Sequence, residues 1–164
     1  MAEPGGPGVS EWLRSPAADQ AGLLRLAEPV GAALHVLPRG DGPLALGRWP
    51  ELVDALGRSG HEVVVDAGMQ LPPDQFGTDA TSLLVTRACY LALRRAAQAT
   101  ARPTGVIVLS EPGRVLSARD IEHTVGAPVV AQIPWDPAVA RAVDAGLLAT
   151  RVPVSLQQTL RRAA

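Results

Sequence analysis

Residues 62–68, with the sequence Glu-Val-Val-Val-Asp-Ala-Gly, constrain the fold of this 164-residue chain more than any other stretch. Three consecutive β-branched residues with no polar residue between them predict a strand that is covered on both faces, as in parallel sheets flanked by helices. Asp66 then stands at the carboxyl end of that strand. Because ligands of open parallel sheets bind just outside the carboxyl ends of the strands, Asp66 is the leading candidate for a functional residue.

Other apolar runs predict further strands, and capped or amphipathic stretches predict helices between them. We expect strands at residues 33–37, 82–86, 105–109 and 128–133, and helices at residues 20–27, 49–57, 90–98, 117–126, 136–146 and 155–163. This alternation is typical of right-handed βαβ units. It predicts an α/β protein, a three-layer sandwich with a mostly parallel sheet of about five strands.

The first residues have a different composition from the rest of the chain. Residues 1–20 are rich in proline and glycine and predict a flexible N-terminal arm, so that residues 21–164 form a single α/β domain. The cluster Gly5-Gly6-Pro7-Gly8 follows no predicted strand and has no lysine or Ser/Thr after it. We therefore interpret it as part of the arm and not as a phosphate-binding loop.

Composition excludes several classes of function. The net charge of -1 does not favour nucleic-acid binding, so Arg87, Arg94, Arg95 and Arg102 are interpreted as a solvated surface rather than a DNA-binding patch. Cys89 is the single cysteine, which excludes an internal disulfide and suits the cytoplasm, and we expect it to be a core residue. The sequence shows no leader pattern and no apolar run of membrane-spanning length, so membrane attachment is not expected.

Two residue types are absent from the sequence: lysine and asparagine, all 15 Lys-plus-Arg positions being arginine. Any mechanism that requires a lysine ammonium group therefore cannot be carried out by this polypeptide alone. The three histidines, His35, His61 and His123, lie far apart without metal-ligand spacing, and no zinc-type site is expected.

Four stretches, in their order and spacing, resemble ParA/MinD-type P-loop ATPases, and most closely the actinobacterial CpaE/TadZ-like and septum-site-determining branch. They are residues 63–68, 84–87, 105–110 and 133–142. The resemblance implies a P-loop NTPase-like fold. It also implies that the family's first strand and its phosphate-binding Walker A loop are missing from this chain, which leaves unpaired strand edges that invite a homo-oligomer or a protein partner contributing a strand.

The resemblance further implies where a nucleotide would lie. Asp66 would reach a magnesium ion through water, with Gly68 beside it. Ser110 and Glu111 would stand where an Asn-Arg pair of the family often reads adenine, although Ser110 is not Asn and Glu111 reverses the charge. Pro134 and Asp136 would belong to a loop beside the base. Asp66 is also explained as a turn residue and Asp136 as a helix cap, and both alternatives stay open.

Three functions follow as hypotheses. The first is a non-catalytic, pseudo-ATPase domain that acts in localisation or assembly, with no catalytic residue and no cofactor of its own. The second is a Mg-ATPase whose Walker A region is encoded outside this sequence, in which case ATP and magnesium bind only when that loop is supplied. The third is a Rossmann-like small-molecule binding module that shares only the architecture.

Overall fold

The chain divides into two units, Met1–Leu71 and Pro72–Ala164. The computed structural model describes residues 6–30, 32–68, 76–77, 80–99, 101–148 and 150–163. Among these residues, the structure contains no helix with the length and hydrophobicity of a membrane span.

The first unit consists of short helices and one small strand pair. Its elements are α1 (Val9–Arg14), α2 (Gln20–Arg25), β1 (Glu28–Pro29), β2 (His35–Val36), a 3-10 turn (Leu46–Arg48) and α3 (Trp49–Gly57). β1 and β2 pair antiparallel. The predicted strand at residues 33–37 is thus reduced to two exposed residues, whereas the predicted helix at residues 49–57 is confirmed in full.

Residues 6–20 contain a packed helix where the sequence predicts a flexible arm. Trp12 and Leu13 of α1 are buried, and the indole N–H of Trp12 donates to the carbonyl of Asp19 at 2.9 Å. The backbone N–H of Val9 donates to the carbonyl of Pro38 at 2.9 Å. A Cβ at Gly8 would approach that same carbonyl to 2.3 Å, so glycine is required there by close backbone packing.

The predicted strand at residues 63–66 is wrong. Residues 62–67 have no regular secondary structure, and the exposed fractions of Val63, Val64 and Val65 are 42%, 91% and 42%. A strand exists only when neighbouring chain satisfies its backbone groups, and no described strand pairs with these valines. β-branched composition alone therefore does not make this segment a strand.

The second unit is built on a parallel sheet. Its elements are β3 (Leu83–Arg87), α4 (Tyr90–Ala97), β4 (Gly105–Ser110), α5 (Ala118–Val125), β5 (Val129–Pro134), α6 (Pro137–Asp144) and α7 (Val154–Ala163). The strand order is β3-β4-β5, and both pairings are parallel. The predicted α/β class is confirmed, with three strands in the parallel sheet of the described residues where about five were expected.

The core of this unit lies between the sheet and the helices α4 and α5. Val106 and Val108 of β4 point into it and are 0% and 2% exposed, and Ile121 of α5 is 1% exposed. α7 packs on β5 at the opposite face, where Leu156 lies near Ile133. Local signals set the helix ends as predicted: Ser117 caps α5, and Gly126 ends it with a φ of 75°.

Candidate functional site

A concave site of the second unit lies at the carboxyl ends of the parallel strands. It is a cleft of about 200 Å³ beside the end of β4. The buried side chains of Val108 and Ile121 form its floor. Its polar groups come from the strand ends and the following turn, namely Ser110, Glu111, Arg114 and Gln132. This is the position at which α/β sheets bind ligands.

Glu111 is the centre of this cleft and is held by two arginines. Arg87, the last residue of β3, donates to one carboxylate oxygen, and Arg114 donates its Nε–H to the other at 2.7 Å. The tight turn after β4, with Gly113 at a φ of 78°, brings Arg114 back to Glu111. The side chain of Glu111 is only 15% exposed, whereas those of Arg87 and Arg114 are 51% and 41% exposed.

The electrostatics of the cleft keep the carboxyl group of Glu111 ionised. Hydrogen bonds from Arg114 and Arg87 to the Glu111 carboxylate hold the pKa of that carboxyl group below its ordinary value. Two guanidinium groups facing one carboxylate leave a net positive charge of one. Because Glu111 stays ionised and saturated with donors at neutral pH, it is a poor general acid or base.

The loop after β5 is shaped by helix capping. Asp136 accepts the N–H of Ala138 at 2.7 Å and so caps α6, and its second oxygen accepts the hydroxyl of Ser155 in α7. These two hydrogen bonds, that from Ser155 first, lower the pKa of Asp136. Pro134 and Asp136 line a cavity of only about 20 Å³ beside Leu156 of α7. Both oxygens of Asp136 are thus engaged within the protein, which favours its interpretation as a cap.

Asp66 and Gly68 form a local turn in the first unit. The Asp66 carboxylate accepts the backbone N–H of Gly68 at 3.0 Å, and Gly68 adopts a φ of 59°. This is an Asx-type turn, in which the aspartate side chain imitates a backbone turn. Asp66 is exposed and does not follow a strand. The structure therefore does not place Asp66 at the end of a strand, which is where the sequence predicts it.

The structure brings together the predicted site residues that belong to the second unit. Ser110 and Pro134 are neighbours in the β4–β5 register, and the Trp135 N–H donates to the Ser110 carbonyl at 2.8 Å. Asp136 follows directly, whereas Asp66 and Gly68 belong to the other unit. Nucleotide binding by these five residues stays a prediction.

Sequence reasoning missed the arginine bridge. The sequence indicates only a solvated surface at Arg87, which lies 24 residues before Glu111. The signal that could have revealed half of the bridge is local: Glu111 and Arg114 are three residues apart across Pro112-Gly113, a turn sequence that returns the chain on itself. Within the part of the chain that the structure describes, no three His, Cys, Asp or Glu side chains are placed to hold a metal ion.

Comparison with known proteins identifies the fold. No family model matches the sequence, and no curated protein matches it. Among solved structures, the chain is similar to the crystal structure of a ParA family ATPase from Chlorobium tepidum TLS, with a TM-score of 0.65 and 17% sequence identity. The match covers 86% of this chain and 66% of that chain. This chain therefore has a ParA-like, P-loop NTPase-like α/β fold, and spans about two thirds of the length of that ATPase.

Proposed function

We propose that this chain is a non-catalytic, ParA-like domain that acts as a localisation or assembly partner and does not hydrolyse ATP by itself. The observation that carries the proposal is the combination of a ParA-like fold with a sequence that contains no lysine. A P-loop ATPase needs a lysine to neutralise charge on the β and γ phosphates, and arginine does not replace that compact ammonium group. A CpaE/TadZ-like or septum-site role is the finer form of this proposal and rests on the sequence resemblance.

The cleft at the end of β4 supports the same proposal. At its centre, the Glu111 carboxylate offsets one of the two nearby arginine charges, so the cleft offers a net positive charge of only one to the several negative charges of a triphosphate. The two arginines nearest to it are already paired with that carboxylate. The cleft is therefore better suited to a polar protein segment or a small neutral ligand than to a triphosphate.

Isothermal titration calorimetry with Mg-ATP tests the proposal directly. For the 164-residue chain we expect no saturable heat up to millimolar nucleotide, which corresponds to a binding free energy weaker than about -4 kcal/mol. The melting curve of the same sample shows that the protein is folded. Saturable binding in the micromolar range would defeat the pseudo-ATPase proposal, and an Asp66→Ala variant would then show whether the resemblance has placed the nucleotide correctly.

A second candidate is a Mg-ATPase whose Walker A region is encoded outside this sequence. It is favoured by the coverage of 66% of the ParA ATPase chain, because a third of that chain has no counterpart here. The discriminating experiment is to translate the DNA upstream of Met1 and to assay the extended protein for ATP hydrolysis. An in-frame glycine-rich loop with lysine, together with turnover that the 164-residue chain lacks, would establish this candidate in place of the first.

A further inference from the structure

The two edges of the parallel sheet are protected to different degrees. Among the described residues, β3 is hydrogen-bonded to β4 alone, so the outer side of its backbone faces no other described strand. An edge of this kind is a template for pairing with a further strand, and native proteins usually block it.

The opposite edge strand, β5, has features that hinder pairing with a further strand. Its register with β4 shifts between Val106 and Ile107, and Pro134 ends the strand without an N–H group. β3 has none of these features. It pairs with β4 in an unbroken register over Leu83–Arg87 and contains neither proline nor an inward-pointing charge. Among the strands that the structure describes, β3 is therefore the open edge of the sheet.

An apolar patch lies beside this open edge. Leu83 and Val85 of β3 are 47% and 59% exposed, and side chains two residues apart lie on the same face of a strand. Val130 of β5 is 46% exposed. Gly105 of β4 lies between the side chains of Leu83 and Val130, because a Cβ built on it would lie 3.2 Å from Leu83 and 2.9 Å from Val130. Exposed apolar surface of this kind marks interaction sites.

We propose that β3 of a second copy pairs antiparallel with β3 about a twofold axis at Val85, so that two sheets join into one of six strands. The proposal deepens the assembly role proposed above by naming its partner, but it rests on the β3 edge and not on nucleotide chemistry. Symmetric pairing of identical strands is an isologous interface, which closes at a dimer. In this register Val85 faces Val85 of the other copy, and Leu83 faces Arg87 of the other copy.

The position of the charged residue in β3 favours antiparallel over parallel pairing of the two β3 strands. Arg87 is the single charged residue of β3 and lies at its end. Antiparallel pairing about Val85 separates the two Arg87 residues by about 14 Å, four residues along the strand, whereas an in-register parallel pairing would set them side by side. Glu111 of the same chain further neutralises each Arg87. No charged residue of β3 therefore opposes contact between the central valines.

Disulfide trapping tests the proposed register. In a Cys89→Ser background, which removes the free cysteine, Val85→Cys should form a covalent dimer on mild oxidation. Facing residues of antiparallel strands have Cα atoms about 4.5–5.5 Å apart, within the span of a disulfide. Leu83→Cys in the same background is the matched control, because the two Leu83 positions would lie about 14 Å apart. Absence of the Val85 crosslink, or equal crosslinking at both positions, would overturn the proposal.

The mass of the protein in solution tests β3 self-pairing without an oxidation step. We expect the wild-type chain to sediment at twice 17.1 kDa and Val85→Lys to sediment at 17.1 kDa while retaining a cooperative melting transition, which shows that the variant is folded. Val115→Lys, at a position 95% exposed in the turn region after β4, should remain dimeric. A monomeric wild type at high concentration, or a dimeric Val85→Lys, would refute β3 self-pairing. Either result is independent of Mg-ATP calorimetry, so failure of this proposal is distinguishable from failure of the proposed function.

Discussion

Two valine-rich stretches of this chain have similar sequences and different structures. Residues 63–65 are Val-Val-Val and residues 106–108 are Val-Ile-Val. The second stretch is the centre of β4, with β3 on one side and β5 on the other, and Val106 is fully buried. The first has no regular structure, and Val64 is 91% exposed. Equal β-propensity thus gives a strand only where neighbouring strands and helices cover it.

The same contrast extends to the carboxylates that follow. Asp66 accepts a hydrogen bond from Gly68 in its own turn, whereas Glu111 is fixed by Arg87 from the neighbouring strand β3 and by Arg114 from the turn after β4. A carboxylate after a central strand is surrounded by groups from other elements. This is why the cleft forms beside Glu111, and why the position after β4 is the better candidate for recognition.

Paired alanine substitutions should give the largest difference between the two stretches. Val106→Ala removes buried methyl groups from the core, and we expect a loss of about 2 kcal/mol in the free energy of unfolding. Val64→Ala removes exposed methyl groups and should cost less than about 0.5 kcal/mol. Urea denaturation measures both. Equal losses would mean that residues 63–65 are buried in solution, contrary to the structure.

Removing the ion pairs of Glu111 with Arg87 and Arg114 should have a smaller effect on stability, and this effect should depend on pH. Because the pKa of Glu111 is lowered in the folded state, its stabilising contribution is present above the ordinary carboxyl pKa of 4.5 and is lost as pH falls through the lowered value. The melting temperature of Glu111→Gln should therefore lie below that of wild type at pH 7, and the gap should shrink below pH 4.5.

A double-mutant cycle assigns this effect to the bridge. Arg114→Gln should lower the melting temperature at pH 7, and adding Glu111→Gln to it should cost less than Glu111→Gln costs alone. High salt should reduce the gap, since both arginines are partly exposed. Additive losses, or a gap that widens in acid, would show that Glu111 does not act through its arginine partners.

Local rules predicted the helices better than the sheet. Ser117, Gly126 and Asp136 set helix ends through hydrogen bonds within a few residues, so their roles are readable from the sequence. The state of residues 63–65 depends on whether a neighbouring strand is present, which no local pattern encodes. For the candidate site, the adjacency of Ser110 and Pro134 follows from parallel strand order, whereas the contact of Arg87 with Glu111 requires the register of two strands.

Hydrogen exchange of the full chain, with and without Mg-ATP, tests the central contrast and its functional meaning together. We expect the amides of residues 106–109 to be strongly protected, those of residues 63–67 to exchange nearly as fast as in an unfolded chain, and neither to change when Mg-ATP is added. Equal protection of the two stretches, or protection of residues 63–67 that Mg-ATP induces, would contradict a ParA-like domain that does not bind the nucleotide by itself.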